Sequence, residues 1–65
     1  MDEPRMVTVE VGGKEHAGEY RVEGDLVTVR SEDYAAEESG HAGEGDPHDV
    51  AKLLLTEIVR RKEDL

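Results

Sequence analysis

The side chains able to do chemistry in this sequence are carboxylates and three histidines. His41 and His48 stand among Glu44, Asp46 and Asp49, a mixture of nitrogen and oxygen donors that zinc accepts. Their spacing matches no metal motif, and the acids do not alternate as the calcium pattern D-x-[DN]-x-[DN]-G requires. The residues therefore predict solvated imidazoles, with His48 in the first turn of a helix, and no metal or cofactor is expected. Cysteine is absent, which excludes disulfides and thiolate zinc sites. His16 falls on the inward side of a predicted strand, near the sheet's edge, where a histidine is expected as a core-edge residue rather than a catalyst.

The run Gly40–Asp46 leads into a helix start, the usual place for a phosphate. A P-loop needs GxxxxGK[ST]; here acids replace the lysine and hydroxyl, and Pro47 removes one amide donor. For nucleophilic catalysis the chain offers Ser31, Ser39 and threonines, with neither a GxSxG elbow nor a cysteine. Acid pairs are too plentiful among seventeen to single one out. A chain this short also leaves little room for a water-excluding pocket. The sequence is read as that of a protein that is not an enzyme.

Composition narrows the partners. The formal charge of −9 opposes direct nucleic-acid binding, which is driven by lysine and arginine releasing counterions from phosphates. Two tyrosines, with no Phe or Trp, do not make a base-stacking platform. The acidity is local: Glu32, Asp33, Glu37, Glu38, Glu44, Asp46 and Asp49 occupy a stretch without lysine or arginine. The longest apolar run is Leu53–Leu55, and Met1–Arg5 lacks a basic or apolar leader, so no membrane contact is expected and a cytoplasmic location is.

Val7-Thr8-Val9-Glu10-Val11 alternates as a half-buried strand does. Gly12-Gly13 forms a hairpin turn, and Val11 opposite Lys14 places Val9 against His16 and Val7 against Gly18. The inward set of the second strand is then His16, Gly18, Tyr20 and Val22. A turn at Glu23-Gly24, or over Glu23–Leu26, leads to Val27-Thr28-Val29. The outer face carries Thr8, Glu10, Glu19, Arg21, Thr28 and Arg30. Asp46 as N-cap, Pro47 at the first helical position and Asp49 in the first turn begin a helix. Its apolar positions are 50, 51, 54, 55 and 58; Arg60, Arg61 and Lys62 suit its C-terminus, where Glu57 can pair with Arg61.

The result is one α+β domain over 1–65, an antiparallel β-meander of three or four strands packed on one C-terminal amphipathic helix. Strands are predicted over about 6–11, 14–22 and 26–30, an acidic glycine-rich segment over 31–46, and the helix over about 47–62. Residues 33–38 are open between helix, fourth strand and disorder, and 39–45 reads as a mobile loop. Leu53 and Val59 lie at opposite margins of the helix's apolar face, wider than a three-stranded sheet covers.

The run Glu19-Tyr20-Arg21-Val22-Glu23-Gly24-Asp25-Leu26-Val27-Thr28-Val29, with Pro47 and Leu53-Leu54-Leu55 in the helix, resembles short bacterial β-meander-plus-helix proteins of unknown function. The resemblance implies bacterial origin and transfers no site.

Together these features predict a small acidic protein-interaction module, homodimeric because a core this small gains from self-association. Its expected surface comprises Glu32, Asp33, Tyr34, Glu37, Glu38, Glu44, Asp46, Leu53 and Val59, turned toward a second copy and a basic protein. Two other classes compete with this one. An acidic mimic of nucleic acid would inhibit a DNA- or RNA-binding protein and needs rigidly spaced carboxylates. A metal-binding or enzyme-accessory protein would use His41 and His48. Acidity that serves solubility alone is the blander possibility.

Overall fold

The computed structural model describes residues 4–63. It contains β1 (Arg5–Val11), β2 (Lys14–Glu23), β3 (Leu26–Ser31), β4 (Glu37–His41) and one helix, α1 (Pro47–Glu63). The strands form a single antiparallel sheet in the order β1-β2-β3-β4. The helix lies across one face, and among the described residues nothing covers the other.

The β1–β2 hairpin follows from alternation and the Gly12-Gly13 turn. Both glycines have positive φ, 60° and 81°, the conformation a two-residue hairpin turn demands. Val11 faces Lys14, Val9 faces His16 and Val7 faces Gly18, the register the valine pattern requires. In the next hairpin Val22 faces Val27, and the strands close one residue further, at Glu23 and Leu26, leaving Gly24-Asp25 as the turn.

Beyond Ser31 the chain turns tightly. The N–H of Ser31 donates to the Ala36 carbonyl at 2.9 Å, and the N–H of Ala35 to the Ser31 carbonyl at the same distance. Ala35 takes a left-handed φ of 53° to complete the reversal. The fourth strand exists, but over 37–41 rather than 33–38. Ser39, Gly40 and His41, read from their glycine content as mobile loop, are paired with Thr28, Val27 and Leu26. Ladder hydrogen bonds to a β-branched neighbour strand outweigh the weak strand propensity of this segment.

Helix α1 begins as its sequence dictates: the N–H of His48 donates to Asp46 Oδ1 at 2.9 Å. Ala51, Leu55, Ile58 and Val59 are buried against Val7, Val11, Tyr20, Val27 and Val29. The fourth strand widens the sheet, and the helix needs less covering than its apolar arc suggested. Val59 is fully buried, which removes it from the expected interaction surface, and Leu53 alone on the helix stays exposed among its large apolar residues, at 66%. Arg61 binds Glu38 on β4 instead of its i−4 neighbour Glu57, tying the helix end to the outer strand.

Gly18 leaves no room for a side chain between the neighbouring strand and the helix. A Cβ there would lie 2.8 Å from the Arg30 carbonyl oxygen and 3.2 Å from a Leu55 methyl. Gly18→Ala is expected to cost about 1–3 kcal/mol through this overpacking, measured by urea unfolding. A loss within error of zero would show that β3 and the helix both stand farther from Gly18 than the geometry indicates. No helix among the described residues is long and apolar enough to cross a membrane.

Candidate functional site

The structure divides the acidic stretch into acids used internally and acids left free. At the end of the sheet bearing the β3–β4 turn, Asp33 is consumed. Its Oδ2 lies 2.8 Å from His16 Nδ1, while the His16 ring is 5% exposed and stacks on Tyr34 with centroids 6.2 Å apart. The Tyr34 hydroxyl donates to Glu63 Oε2 at 2.6 Å, and that oxygen stands 3.6 Å from His16 Nε2, a buried nitrogen without a hydrogen-bond partner among the described residues. Strand β2, the β3–β4 turn and the last turn of α1 meet in this cluster. Alternation placed His16 inward, whereas Asp33 and Glu63, far from it in sequence, carried no signal of joining it.

The Glu63 carboxylate accepts the Tyr34 hydroxyl hydrogen, and this pushes the phenol up from 10 to about 12; burial and the negative charges of Glu63 and Asp33 act in the same direction. The folded state thus holds the neutral phenol more tightly than the unfolded chain does. That contribution is fully present below pH 10 and is lost as pH rises from 10 toward 12. The expected result is a stability difference between wild type and Tyr34→Phe that narrows over this interval. A difference that stays constant through it would rule out the Tyr34–Glu63 bond as its source.

One further acid of the stretch is engaged, and another stands in a row of mixed charge. Glu38 points to the helix side and pairs with Arg61. Glu37 lies on the uncovered face beside Arg30, itself beside Glu19, so that charges alternate along one row across three strands. The next row is Arg21, Thr28 and Ser39, with the two hydroxyls 3.0 Å apart. Glu19, Arg21, Glu23, Leu26, Thr28, Arg30 and Glu37 line a shallow hollow on this face. Its charges are mixed, and no nucleophile and base converge in it.

Three of the remaining acids, Glu44, Asp46 and Asp49, lie at the opposite end of the sheet. The N–H of Ala42 donates to the Asp25 carbonyl at 2.7 Å, and His41 Nδ1 lies 3.1 Å from Asp25 Oδ1, so the β4–α1 loop abuts the β2–β3 turn. Glu23 and Asp25 from the turn therefore join Glu44, Asp46 and Asp49 from the loop and first helical turn, all five exposed. Neither segment contains lysine or arginine. The other end mixes exposed Glu10, Glu15 and Glu32 with exposed Lys14, Arg60 and Lys62.

The expected surface is thus partly kept and partly dispersed. Glu44 and Asp46 stand together; Asp33, Glu38 and half-buried Tyr34 are engaged elsewhere; Glu32, Glu37 and Leu53 are exposed but on separate parts of the molecule. Sequence reasoning missed Glu23 and Asp25, because only tertiary pairing brings the β2–β3 turn to the β4–α1 loop. His48, expected in water, is half-buried with Nδ1 3.1 Å from the Tyr20 hydroxyl and its ring edge-on to the tyrosine. It does not share a cluster with His41. Among the described residues no group of three or more His, Asp and Glu side chains is placed to hold a metal ion. No family model matches this chain, and neither a curated protein nor a solved structure matches it.

Proposed function

We propose that this protein is a small non-catalytic interaction module that acts as a homodimer and presents its acidic end to a cationic partner protein. The observation that carries the reading is the segregation of charge. Asp33 and Glu38 are bound to His16 and Arg61 and the exposed acids at the other end are mixed with Lys14, Arg60 and Lys62, whereas Glu23, Asp25, Glu44, Asp46 and Asp49 come from two segments that hold no lysine or arginine, with His41 beside Asp25. Such a concentration of one sign steers association with the opposite sign and fades as salt screens it.

Titration of the 15N-labelled protein with an oligolysine peptide tests this. Amide shifts are expected to concentrate at 23–25 and 42–49, to shrink with added salt, and to fall in a Glu23→Gln, Glu44→Gln, Asp49→Asn variant. Asp46 is left intact there because it caps the helix. Shifts spread evenly over Glu10, Glu15 and Glu32 as well would overturn the assignment of the acidic end, as would a variant that binds like wild type.

A further inference from the structure

We propose that the second copy docks by antiparallel pairing of β1 with β1 about a two-fold axis at Thr8, joining two four-stranded sheets into one of eight. This inference rests on the homodimer reading and locates its interface.

A sheet ordered β1-β2-β3-β4 leaves two edges, and they differ in kind. Strand β4 is short, and its inward positions hold Glu38 and Gly40 opposite Val29 and Val27. A short strand with an inward-pointing charge resists edge-to-edge pairing. Arg61 also reaches from the helix to Glu38 on this edge.

Strand β1 has none of these protections. It runs seven residues, Arg-Met-Val-Thr-Val-Glu-Val, with seven consecutive register pairs to β2, hence no bulge, and no proline, glycine or lysine within it. The two-residue turn makes Val11 and Lys14 a hydrogen-bonded pair, so Val7, Val9 and Val11 direct their backbone groups to β2 by alternation. Met6, Thr8 and Glu10 consequently direct theirs outward. Among the described residues nothing pairs with this edge.

The side chains indicate what covers it. Val7, Val11, Val27 and Val29 are buried on the helix side of the sheet, whereas Val9 on the same side is only partly so. Among the described residues Met6, at 53%, is the other exposed large apolar residue besides Leu53. Pairing about Thr8 sets Val7 against Val9 of the second copy, Met6 against Glu10, and Thr8 against Thr8. The outward backbone groups of all three residues are then bonded across the axis. A register centred on Glu10 would set like charges directly opposite each other, which is destabilising. One centred on Met6 would leave Val9 unpaired, and axes at Val7 or Val9 would leave the outward groups of Glu10 or of Met6 without a strand partner. The self-complementary order of β1 thus selects a second copy of this chain over an unrelated strand, and both helices fall on the same side of the joined sheet.

The experiment uses the full chain in sedimentation velocity with three variants. Thr8→Pro removes an outward N–H that the internal ladder does not use, and edge strands tolerate proline there. Val9→Lys places a charge at the inward edge, with a side chain long enough to reach water. Ser39→Pro makes the equivalent change on β4, whose outward groups alternate in the same way. Wild type and Ser39→Pro are expected to sediment as dimers at about 0.1 mM, a concentration that reveals even micromolar affinity. Thr8→Pro and Val9→Lys are expected as folded monomers, and the Met6 and Glu10 amides, slow to exchange in wild type, should exchange freely in Thr8→Pro. A monomeric wild type would overturn the homodimer and this interface together. A dimer that survives both β1 variants, or dissociates with Ser39→Pro, overturns the β1 interface alone. Heterologous capture of a peptide strand by a monomeric wild type would count against self-pairing.

Discussion

Leu55→Ala is expected to unfold much of the protein at room temperature. Leu55 is fully buried, and its methyl groups rest over the bare backbone of Gly18 near the centre of the sheet. Removing a buried leucine side chain costs about 2–5 kcal/mol, more where the surroundings cannot collapse into the space. Ladder-bonded strands cannot collapse, which favours the upper part of that range. Cores in chains of this length supply roughly 3–5 kcal/mol in all, so one substitution removes most of the margin. Leu53→Ala, two positions away but exposed, should stay within about 0.5 kcal/mol of wild type. Chemical unfolding followed by circular dichroism reads both. Similar losses from the two variants would mean that the helix is rotated from the face described. Combining Gly18→Ala with Leu55→Ala should cost less than the separate losses added together, because the shortened side chain relieves the 3.2 Å contact, though not the approach to the Arg30 carbonyl.

The second large effect is expected at His16. Its ring is buried, stacks on Tyr34, and joins Asp33 on one side to the neighbourhood of Glu63 on the other. His16→Ala removes the packing surface of Tyr34 and the partner of Asp33, leaving the Glu63 carboxylate at a cavity. A loss of roughly 2–3 kcal/mol follows from breaking such a buried polar cluster. Its diagnostic feature is coupling. With Tyr34→Phe the double-mutant cycle should deviate from additivity by at least about 0.5 kcal/mol, since both residues hold the helix end to the β3–β4 turn. Additive losses would reduce His16 to a space-filling residue at the edge of the core.

How far the sequence carried the fold depends on where its physical signals are local. The valines of β1 and β3 alternate, Gly12-Gly13 supplies the positive φ of a two-residue turn, and Asp46-Pro47 starts a helix; each is readable within a few residues. The β1–β2 register followed because a one-residue slip would have exposed Val7 and Val11. Strand β4 was not readable in this way. Glu37-Glu38-Ser39-Gly40-His41 has neither alternation of apolar residues nor strand propensity, and it is a strand because β3 offers it a ladder.

The same distinction separates the parts of the candidate surface. Glu44 and Asp46 stay together because they are neighbours in sequence beside a helix start. Asp33 and Glu38 were removed from the free acids by His16 and Arg61, partners seventeen and twenty-three residues away. Val59, at a margin of the helix's apolar face, is fully buried in the folded chain. By itself, then, the sequence determined the strand–turn–strand grammar, the helix and its cap, and the acidity of one stretch, because these arise from residues within a turn or a hairpin of each other. Only the tertiary structure decided which acids remain free, which histidines are engaged and which strands form the sheet's edges. Those outcomes depend on pairings between segments whose individual preferences are weak, and a weak local preference yields to whichever neighbour the folded chain supplies.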